Sequence, residues 1–415
     1  MQENFKRVVI TGLGCITPVG NTVDDFWINI TAGKVGIGNI TRFDTSDCKI
    51  KIAAEVKNFD PLLYMDFAEA RKYDLFSQYA VASAFQAVKD SQITGNIAPD
   101  RFGVYFGSGK GGVNTFADES NKLAEKGVSK TSANFIPMTI ANIASGLIAI
   151  KHNARGVNMA VVSACATGTG CIGEAYIAVK SGRADAIIAG ASEAAINKLI
   201  LAGFQNMHAL TRRNDPLTAS IPFDKRRDGF VMGEGAGALI VEDYEHAKRR
   251  QAKIYAEVIG YGNTNDAYHI TAPMLDGSGA VSAIKAAVAE VIDTDKIYIN
   301  AHGTSTPLND KTETTAIKKA FGERAYKIPI SGTKSMTGHL QGAAGAIEAI
   351  ISVMALHTGT LPPTAGYEEY DPDCDLDYIP NYARKSNITV ALSNTFGFGG
   401  HNAVIAFRKP LKSNL

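Results

Sequence analysis

Continuous apolar runs alternate with helix-like segments along most of the chain. The strand-like runs lie at 7–14, 101–109, 158–164, 185–192, 237–243, 255–262, 297–303, 327–333 and 389–400. The helical patterns between them lie at 74–91, 169–182, 277–292, 311–322 and 342–359. Most of the strand runs are apolar throughout rather than alternating, as strands covered on both faces are. This pattern predicts an α/β fold with largely parallel sheets.

The second half of the chain weakly repeats the first. "AVVSACATGTGCIGEAYIAVKSG" and "IPISGTKSMTGHLQGAAGAIEAIISVMALHTG" each predict a strand, a turn of small residues and a glycine-rich helix. The chain has 415 residues, more than one ordinary core accommodates. Two similar units at 1–250 and 251–412 would explain both features. Because βα repeats are common, this internal similarity alone gives duplication of one unit only even odds.

Composition and charge exclude several classes of function. The net charge is +1, so no overall field draws the protein to nucleic acid or to an anionic membrane. No apolar run reaches bilayer length and the N-terminus lacks a signal-peptide pattern, so we expect a cytoplasmic protein. The five cysteines are an odd number and form no C-x-x-C pair. We therefore expect neither a disulfide framework nor a zinc site.

Cys165 lies where a predicted strand gives way to a helix, among small residues such as Ala164, Ala166 and Gly168. A helix N-terminus favours an anion, so a thiol there should ionise more easily and be a better nucleophile. Most cysteines are simply small buried hydrophobes, and Cys165 taken alone fits that interpretation better. Cys171, further along the same helix, is interpreted as a packing residue.

Two histidines change this balance. His302 ends an apolar strand in "NAHGTSTPLND", and His339 follows a glycine in "GTKSMTGHLQGAAGAIEA". Strand ends are where sites gather in α/β folds. A thiol with one histidine would suit a cysteine hydrolase, whereas two histidines suit acyl transfer with carbon–carbon bond formation. Lys334 and Glu348 flank His339 and either fix its orientation and charge or form a solvated pair.

Two glycine-rich segments have different interpretations. "SNTFGFGGHN" at 393–402 can bring backbone N–H groups close to a ligand and can also move. "DGFVMGEGAGALIVED" lacks both the G-x-G-x-x-G spacing and a following Lys-Ser/Thr, so nucleotide binding is rejected. No ligand spacing predicts a metal site.

Five motifs together resemble one family. "SACATGTG", "DKRRDGFVMGEGAGALIVED", "NAHGTSTPLND", "GTKSMTGHLQGAAGAIEA" and "SNTFGFGGHNA" resemble β-ketoacyl-acyl-carrier-protein synthases of the type II elongating group. The resemblance runs from "RVVITGLG" to "HNAVIAF". It implies the thiolase fold, with duplicated βα halves in a five-layered α-β-α-β-α arrangement, usually paired as a homodimer. It also implies an acyltransferase that condenses an acyl group with malonyl-acyl-carrier protein, as in fatty acid elongation.

The resemblance implies roles for residues of the reaction centre. Cys165 would hold the acyl group, while His302 and His339 would assist decarboxylation of malonyl and stabilise the enolate. Lys334 would lie beside the second histidine and Glu348 behind it. No metal and no cofactor is implied, because the substrates carry phosphopantetheine on the carrier protein.

The resemblance also assigns residues that contact the substrates. Phe396 and Phe398 would form a mobile gate, and the backbone N–H groups of Cys165 and Phe398 an oxyanion hole. Thr304 and Thr306 would contact the phosphopantetheine arm. The acidic acyl carrier protein would dock on a local basic cluster, for which the candidates are Arg71, Lys72 and Lys130.

Lys110 departs from the family's pattern. In "FGSGKGGV" it stands where the family normally carries an apolar residue facing the acyl chain. A lysine in an apolar pocket is costly unless it is paired or reaches water. We therefore expect a shortened pocket, or one that takes a polar or polyketide-like chain.

Other functions stay open at this point. Ketosynthase subunits of type II polyketide systems share "NAHG" and "PPTA…DPDCDLDY", and often pair with a sister subunit that lacks the cysteine. "GTSTP" and "FGFGGHNA" favour the fatty acid branch, whereas Lys110 favours the polyketide branch. An inactive, dimer-forming homologue would not need Cys165, His302 and His339 together, and a hydrolase leaves the second histidine unexplained.

Overall fold

A computed structural model describes residues 5–410, so residues 1–4 and 411–415, at the outer ends of the two predicted halves, lie outside the described part. The strands are β1 (Val8–Ile16), β2 (Gly38–Asn39), β3 (Ile52–Ala53), β4 (Phe102–Gly107), β5 (Asn158–Met159), β6 (Ala186–Glu193), β7 (Gly235–Asp243), β8 (Ala256–Asn265), β9 (Ile297–Asn300), β10 (Ile330–Ser331), β11 (Thr360–Leu361), β12 (Arg384–Lys385), β13 (Val390–Gly397) and β14 (His401–Arg408).

The helices are α1 (Val23–Thr31), α2 (Phe67–Ala70), α3 (Leu75–Ser91), α4 (Val113–Lys126), α5 (Phe135–Thr139), α6 (Ile143–His152), α7 (Thr167–Lys180), α8 (Lys198–Asn206), α9 (Tyr244–Arg249), α10 (Ser278–Ala287), α11 (Pro307–Phe321), α12 (Lys334–Thr337) and α13 (Ala344–Thr358). No helix within residues 5–410 combines the length and the apolar character that crossing a bilayer requires.

The main sheet has ten strands in two halves with the same strand order. The order is β5-β4-β6-β7-β1 in one half and β10-β9-β13-β14-β8 in the other. Counted along the chain within each half, both orders read third, second, fourth, fifth, first. The halves meet where β1 pairs antiparallel with β8, with Val8 opposite Val258. The duplication is confirmed, while the boundary at residue 250 stays a prediction.

Alternate side chains of each long strand face different cores. In β6, Ile187 and Ala189 face a central core that also contains residues of α7 and α13. Ala186 and Ile188 face an outer core shared with α3 and α6. On the other half, α10 and α11 pack on the outer face of β9, β13 and β14. The result is the predicted five-layered α-β-α-β-α arrangement.

Glycines let the two central helices approach closely. A Cβ at Gly168 of α7 would lie 2.5 Å from the backbone N of Ala346 in α13. A Cβ at Gly345 of α13 would lie 2.2 Å from Oγ1 of Thr169 in α7. Both distances are too short for any side chain, so the repeated glycine-rich helix motif is explained by this contact.

The predicted predominance of parallel pairing is wrong. β1–β7, β6–β7, β1–β8, β13–β14 and β8–β14 are antiparallel. Parallel pairs occur only among β4, β5 and β6 and among β9, β10 and β13 within the described residues. Helices cover both faces of each half, so antiparallel strands here are apolar throughout as well, and the apolar pattern does not reveal strand direction.

The strand predicted at 158–164 is also shorter than expected. Only Asn158–Met159 pairs in the sheet, and a 3₁₀ turn at Ala164–Ala166 precedes α7. A Cβ at Gly107 would lie 2.3 Å from the carbonyl oxygen of Val161. The chain therefore crosses tightly over the end of β4 before it turns at Ala164, whose φ of 50° is left-handed. This crossing sets the position of Cys165.

Candidate active site

Cys165 lies in the wall of a cavity of about 630 Å³. Its side chain is half-buried. It is held by the 3₁₀ turn that leads into α7, directly after the strained Ala164. Left-handed conformations of non-glycine residues cluster at active sites because the surrounding structure has to hold them in place. The turn thus points the thiol into the cavity instead of into the core, where Cys171 is buried.

Both predicted histidines reach the same cavity as Cys165. His339 Nε2 lies 3.1 Å from Cys165 Sγ. The rings of His302 and His339 lie with centroids 5.4 Å apart and planes at 84°. His302 follows β9, and His339 follows α12 and Gly338, whose φ is 65°. The fold therefore joins three motifs that are far apart in the sequence.

Hydrogen bonds assign the tautomer of each ring. The backbone N–H of Gln341 donates to His339 Nδ1 at 3.2 Å. The ammonium of Lys334 lies 3.4 Å from His302 Nδ1, and it can only donate. Each neutral ring therefore carries its proton on Nε2. His339 directs that N–H at the sulfur of Cys165.

The surroundings keep both rings uncharged. Burial and the Lys334 ammonium hold the pKa of His302 well below its usual value, and His339 adds to this effect. Burial, Lys334 and Lys110 do the same to the pKa of His339. Neutral rings with protonated Nε2 atoms are hydrogen-bond donors at neutral pH, which suits stabilisation of an anionic intermediate.

Lys334 and Glu348 form a buried ion pair, with exposed fractions of 1% and 3%. Lys334 also donates to the carbonyl oxygen of His302 at 2.5 Å. Burial raises the pKa of Glu348 to about 7, although Lys334 opposes the shift. The sequence left two interpretations of these residues, a solvated pair or a pair that fixes His339. The structure excludes the solvated pair, and it places the Lys334 ammonium against His302 rather than His339.

Glu313 supports His302 from behind and was not identified from the sequence. Its carboxylate accepts the backbone N–H groups of His302 and Gly303, each at 2.8 Å. Burial raises the pKa of Glu313 to about 7. Its position on α11 within "NDKTETT" gives no signal, because a helical glutamate is ordinarily exposed.

The expectation that Cys165 ionises easily is wrong in direction. Burial raises the pKa of its thiol, and the ammonium groups of Lys110 and Lys334 oppose that shift only in part. The sequence placed the thiol at a helix N-terminus but could not show how much protein surrounds it. The N–H of His339 remains as a donor to the charged form of the sulfur.

The segment of the predicted gate lies beside His302 and the backbone of Cys165. Phe396, at the end of β13, contacts His302 with ring centroids 5.8 Å apart, and Phe398 follows in the cavity wall. A Cβ at Gly397 would lie 3.1 Å from the backbone N of Cys165. Outside the bonds within helices and strands, neither the Cys165 N–H nor the Phe398 N–H donates to a backbone carbonyl in residues 5–410. Two such N–H groups near a nucleophile suit an oxyanion hole.

The remaining predicted residues divide into two groups. Thr304 and Thr306 line the cavity, with their hydroxyl oxygens 2.9 Å apart, and Lys110 lines it too. Arg71, Lys72 and Lys130 are exposed and do not line this cavity. Arg71 lies over the ring of Phe67, 5.8 Å from its centroid. The structure thus brings together the reaction and substrate residues but not the docking candidates.

Gln341 and Glu193 also belong to the site and were missed. Gln341 positions His339 through its backbone and lines the cavity with its side chain. Glu193, at the end of β6, accepts N–H groups from two segments of the cavity wall. The location of Glu193 at a strand end was a usable signal. Gln341 gave none beyond its closeness to His339.

Comparisons with known proteins agree over the length of the chain. Residues 5–247 match the model described as "Beta-ketoacyl synthase, N-terminal domain", and residues 255–368 match "Beta-ketoacyl synthase, C-terminal domain". A "3-oxoacyl-[acyl-carrier-protein] synthase 2" of Synechocystis sp. is 52% identical over 408 residues, covering 97% of this chain and 98% of the relative. One from Staphylococcus aureus (strain COL) is 49% identical over 412 residues, covering 99% of each.

Solved structures show the same fold. "The ishigamide ketosynthase/chain length factor" is 34% identical with a TM-score of 0.91, covering 98% of this chain and 100% of its own. A structure described as "type II PKS acyl-carrier protein in complex with its ketosynthase bound to the hexaketide" is 35% identical with a TM-score of 0.89 and the same coverage. A "Beta-ketoacyl synthase from Burkholderia phymatum STM815" is 33% identical with a TM-score of 0.89, again with this coverage.

Proposed function

Because the chain belongs to the β-ketoacyl synthase family, we propose that Cys165, His302 and His339 carry out its decarboxylating Claisen condensation. The enzyme joins an acyl group held on Cys165 to malonyl-acyl-carrier protein and gives β-ketoacyl-acyl-carrier protein, the chain-elongating step of fatty acid synthesis. The observation that supports these roles best is the convergence of both neutral imidazoles on one half-buried thiol.

In the first step the sulfur of Cys165 attacks the acyl thioester of the carrier protein. A carbon–sulfur bond forms to Cys165 while the bond to the carrier sulfur breaks, and the thiol proton ends on the carrier thiol. The N–H of His339, 3.1 Å from the sulfur, stabilises the thiolate as the proton leaves. The free N–H groups of Cys165 and Phe398 stabilise the tetrahedral oxyanion.

In the second step the malonyl group loses carbon dioxide. The bond between its methylene carbon and its carboxylate breaks, and the electron pair becomes an enolate thioester. The Nε2–H groups of His302 and His339 donate to the enolate oxygen, and neutral rings do so without adding a proton. The enolate carbon then attacks the acyl-cysteine, and the Cys165 sulfur leaves as a thiolate when the new carbon–carbon bond forms. The thiolate takes up a proton from solvent, which restores the thiol.

Covalent capture divides a three-body reaction into two simpler ones. Phe396 and Phe398 act as a gate that admits the acyl group and then closes for malonyl, which keeps water from the thioester. Thr304 and Thr306 hold the phosphopantetheine arm that the carrier protein brings. We propose that no further cofactor takes part, because neither step needs an external oxidant or reductant.

The acyl carrier protein docks on the exposed basic residues Arg71, Lys72 and Lys130. An acidic partner would be attracted to such residues although the net charge of the chain is only +1. Charge reversal at Arg71 should weaken turnover of carrier-bound substrates and leave pantetheine thioesters unaffected. Equal loss with both substrates would argue against docking at this position.

We propose that the chain forms a homodimer through the edge of its sheet. Among residues 5–410, β5 ends the sheet and pairs with β4 alone. Met159 in β5 and the nearby Val162 are 43% and 53% exposed. An apolar edge strand is a template for pairing with another chain. Sedimentation should give a dimer, and a monomer at micromolar concentration would contradict this proposal; a cysteine-less sister subunit is the alternative partner.

A polyketide ketosynthase is the second candidate, favoured by Lys110 and by the structure described as a type II PKS ketosynthase. It is less supported, because the full-length relatives named 3-oxoacyl-[acyl-carrier-protein] synthase are about 50% identical, whereas that structure is 35% identical.

The deciding experiment separates capture from decarboxylation. Intact-protein mass spectrometry with a panel of acyl carrier proteins should show one acyl group added, on Cys165. Cys165→Gln should remove that adduct and all condensation, while malonyl decarboxylation by His302 and His339 persists. A folded Cys165→Gln variant that still condenses, or an adduct elsewhere, would contradict the proposed roles.

A further inference from the structure

Two polar side chains meet in the cavity wall that also holds Cys165. The Lys110 ammonium donates a hydrogen bond to Gln341 Oε1, and it lies 5.4 Å from the ring centroid of Phe204. Within residues 5–410, the Lys110 Nζ forms no salt bridge, and the side chains that it contacts are the neutral Gln341 amide and the Phe204 ring. The positive charge therefore has no carboxylate partner in this part of the chain.

This pair has hydrogen-bond donors to spare. Gln341 is only 2% exposed, and its Nε2 donates to no acceptor in the described residues. Lysine has three donors, and Gln341 Oε1 is the partner of the Lys110 ammonium in the same part of the chain. A buried donor without an acceptor costs free energy. If only hydrocarbon lies against this part of the cavity wall, the donors of Gln341 and Lys110 have no acceptor.

Glu193 holds the backbone segments that carry Lys110 and Gln341 in place. Glu193 accepts the backbone N–H groups of Gly109 at 3.0 Å and Lys110 at 3.2 Å. The same carboxylate accepts the N–H of Gly342 at 3.0 Å. One buried glutamate thus ties the segment of Lys110 to that of Gln341. The arrangement differs from a surface lysine, whose ammonium would move freely in water.

We propose that Lys110 and Gln341 select an acyl group whose chain carries an oxygen acceptor: a keto, hydroxyl or carboxyl oxygen. This inference rests on the proposed function, in which the chain on Cys165 occupies this cavity. An oxygen on the chain would accept the free N–H groups of Gln341 and Lys110, and a carboxylate would gain a charge-assisted hydrogen bond. A saturated chain would bury the same groups without an acceptor.

Competition between acyl donors tests this selection in the full-length protein. Octanoyl, 3-hydroxyoctanoyl and suberoyl pantetheine thioesters serve as probes, and mass spectrometry follows acylation of Cys165. At least one oxygenated probe should be preferred over octanoyl by roughly ten- to hundredfold in kcat/KM, the range expected for a hydrogen bond to a charged donor. Lys110→Met and Gln341→Met should each reduce that preference by about tenfold and speed octanoyl transfer.

The controls separate the possible failures. Lys89→Met changes an exposed lysine of α3, outside the cavity wall, and should leave the ratio unchanged. Equal or faster use of octanoyl by the native protein, with normal acylation of Cys165, would overturn this inference and leave the proposed function intact. No adduct from any probe or from acyl carrier protein would overturn both. If Lys110→Met fails to fold, Gln341→Met still decides the result.

Discussion

Removal of the Lys334 ammonium tests how the charges behind the histidines support the fold. Lys334→Met would leave the Glu348 carboxyl buried without its partner. Loss of one partner of a buried pair costs about 3–5 kcal/mol, a large part of the typical 5–15 kcal/mol free energy of unfolding. The double variant Lys334→Met/Glu348→Gln removes the carboxyl that would otherwise ionise without a partner, so above pH 7 it should recover roughly 1–3 kcal/mol of that loss.

The dependence on pH gives a second measure of the same effect. In the native protein the pKa of Glu348 is about 7, above its ordinary value of 4.5. A raised carboxyl pKa means that the fold prefers the protonated form, so this contribution to stability falls as pH rises from 4.5 to about 7. Lys334 opposes the shift, and without it the pKa rises further. The deficit of Lys334→Met should therefore grow above pH 7.

Urea unfolding at pH 6 and at pH 8 measures both quantities, and malonyl decarboxylation reports the state of the histidines. The reasoning would be refuted if the single variant were as stable as the native protein. It would also be refuted if the two substitutions simply added, because an ion pair requires that their effects depend on each other.

Two other predictions concern the gate and the rings. Gly397→Ala should lower kcat by roughly ten- to hundredfold, because the added Cβ would lie 2.9 Å from the Ser163 carbonyl oxygen and 3.1 Å from the Cys165 N. Steady-state kinetics should show this drop, and an unchanged kcat would mean that the amides do not bind the oxyanion. Malonyl decarboxylation by Cys165→Gln should persist at pH 6, because the pKa of His302 and of His339 lies well below 6.5, although the carboxyls of Glu313 and Glu348 titrate near pH 7. Complete loss of decarboxylation at pH 6 in the folded variant would contradict neutral rings at that pH.

The structure bears on the two expectations for the pocket at Lys110, a shorter pocket or a more polar one. The cavity of about 630 Å³ is not closed by the lysine, since Lys110 forms part of its wall beside Gln341. The lysine therefore makes the cavity wall more polar, and it does not shorten the cavity by closing it. This distinction matters for the choice of substrates, because a shorter saturated primer would still leave the donors of Lys110 and Gln341 without an acceptor.

The site was predictable where chemistry and local pattern coincide. Cys165, His302 and His339 stand out because each reactive side chain follows a predicted strand or a glycine turn. Glu313 and Gln341 did not stand out, since nothing in a helical glutamate or an exposed-looking glutamine shows that the fold buries it. The direction of the Cys165 pKa was also beyond the sequence, because desolvation depends on every neighbouring segment.

The sequence by itself determined the α/β class, the repeated glycine-rich helices and the identity of the reactive groups, because periodicity and small-residue motifs report local burial and close contact. Only the tertiary structure decided the direction of the strands, the approach of His339 to Cys165 across 174 residues and the pairing of Lys110 with Gln341. Each of these depends on contacts between distant segments, which leave no period in the chain. An apolar run in the sequence indicates that a strand is buried on both faces. Which helices and strands pack against it is seen only in the three-dimensional structure.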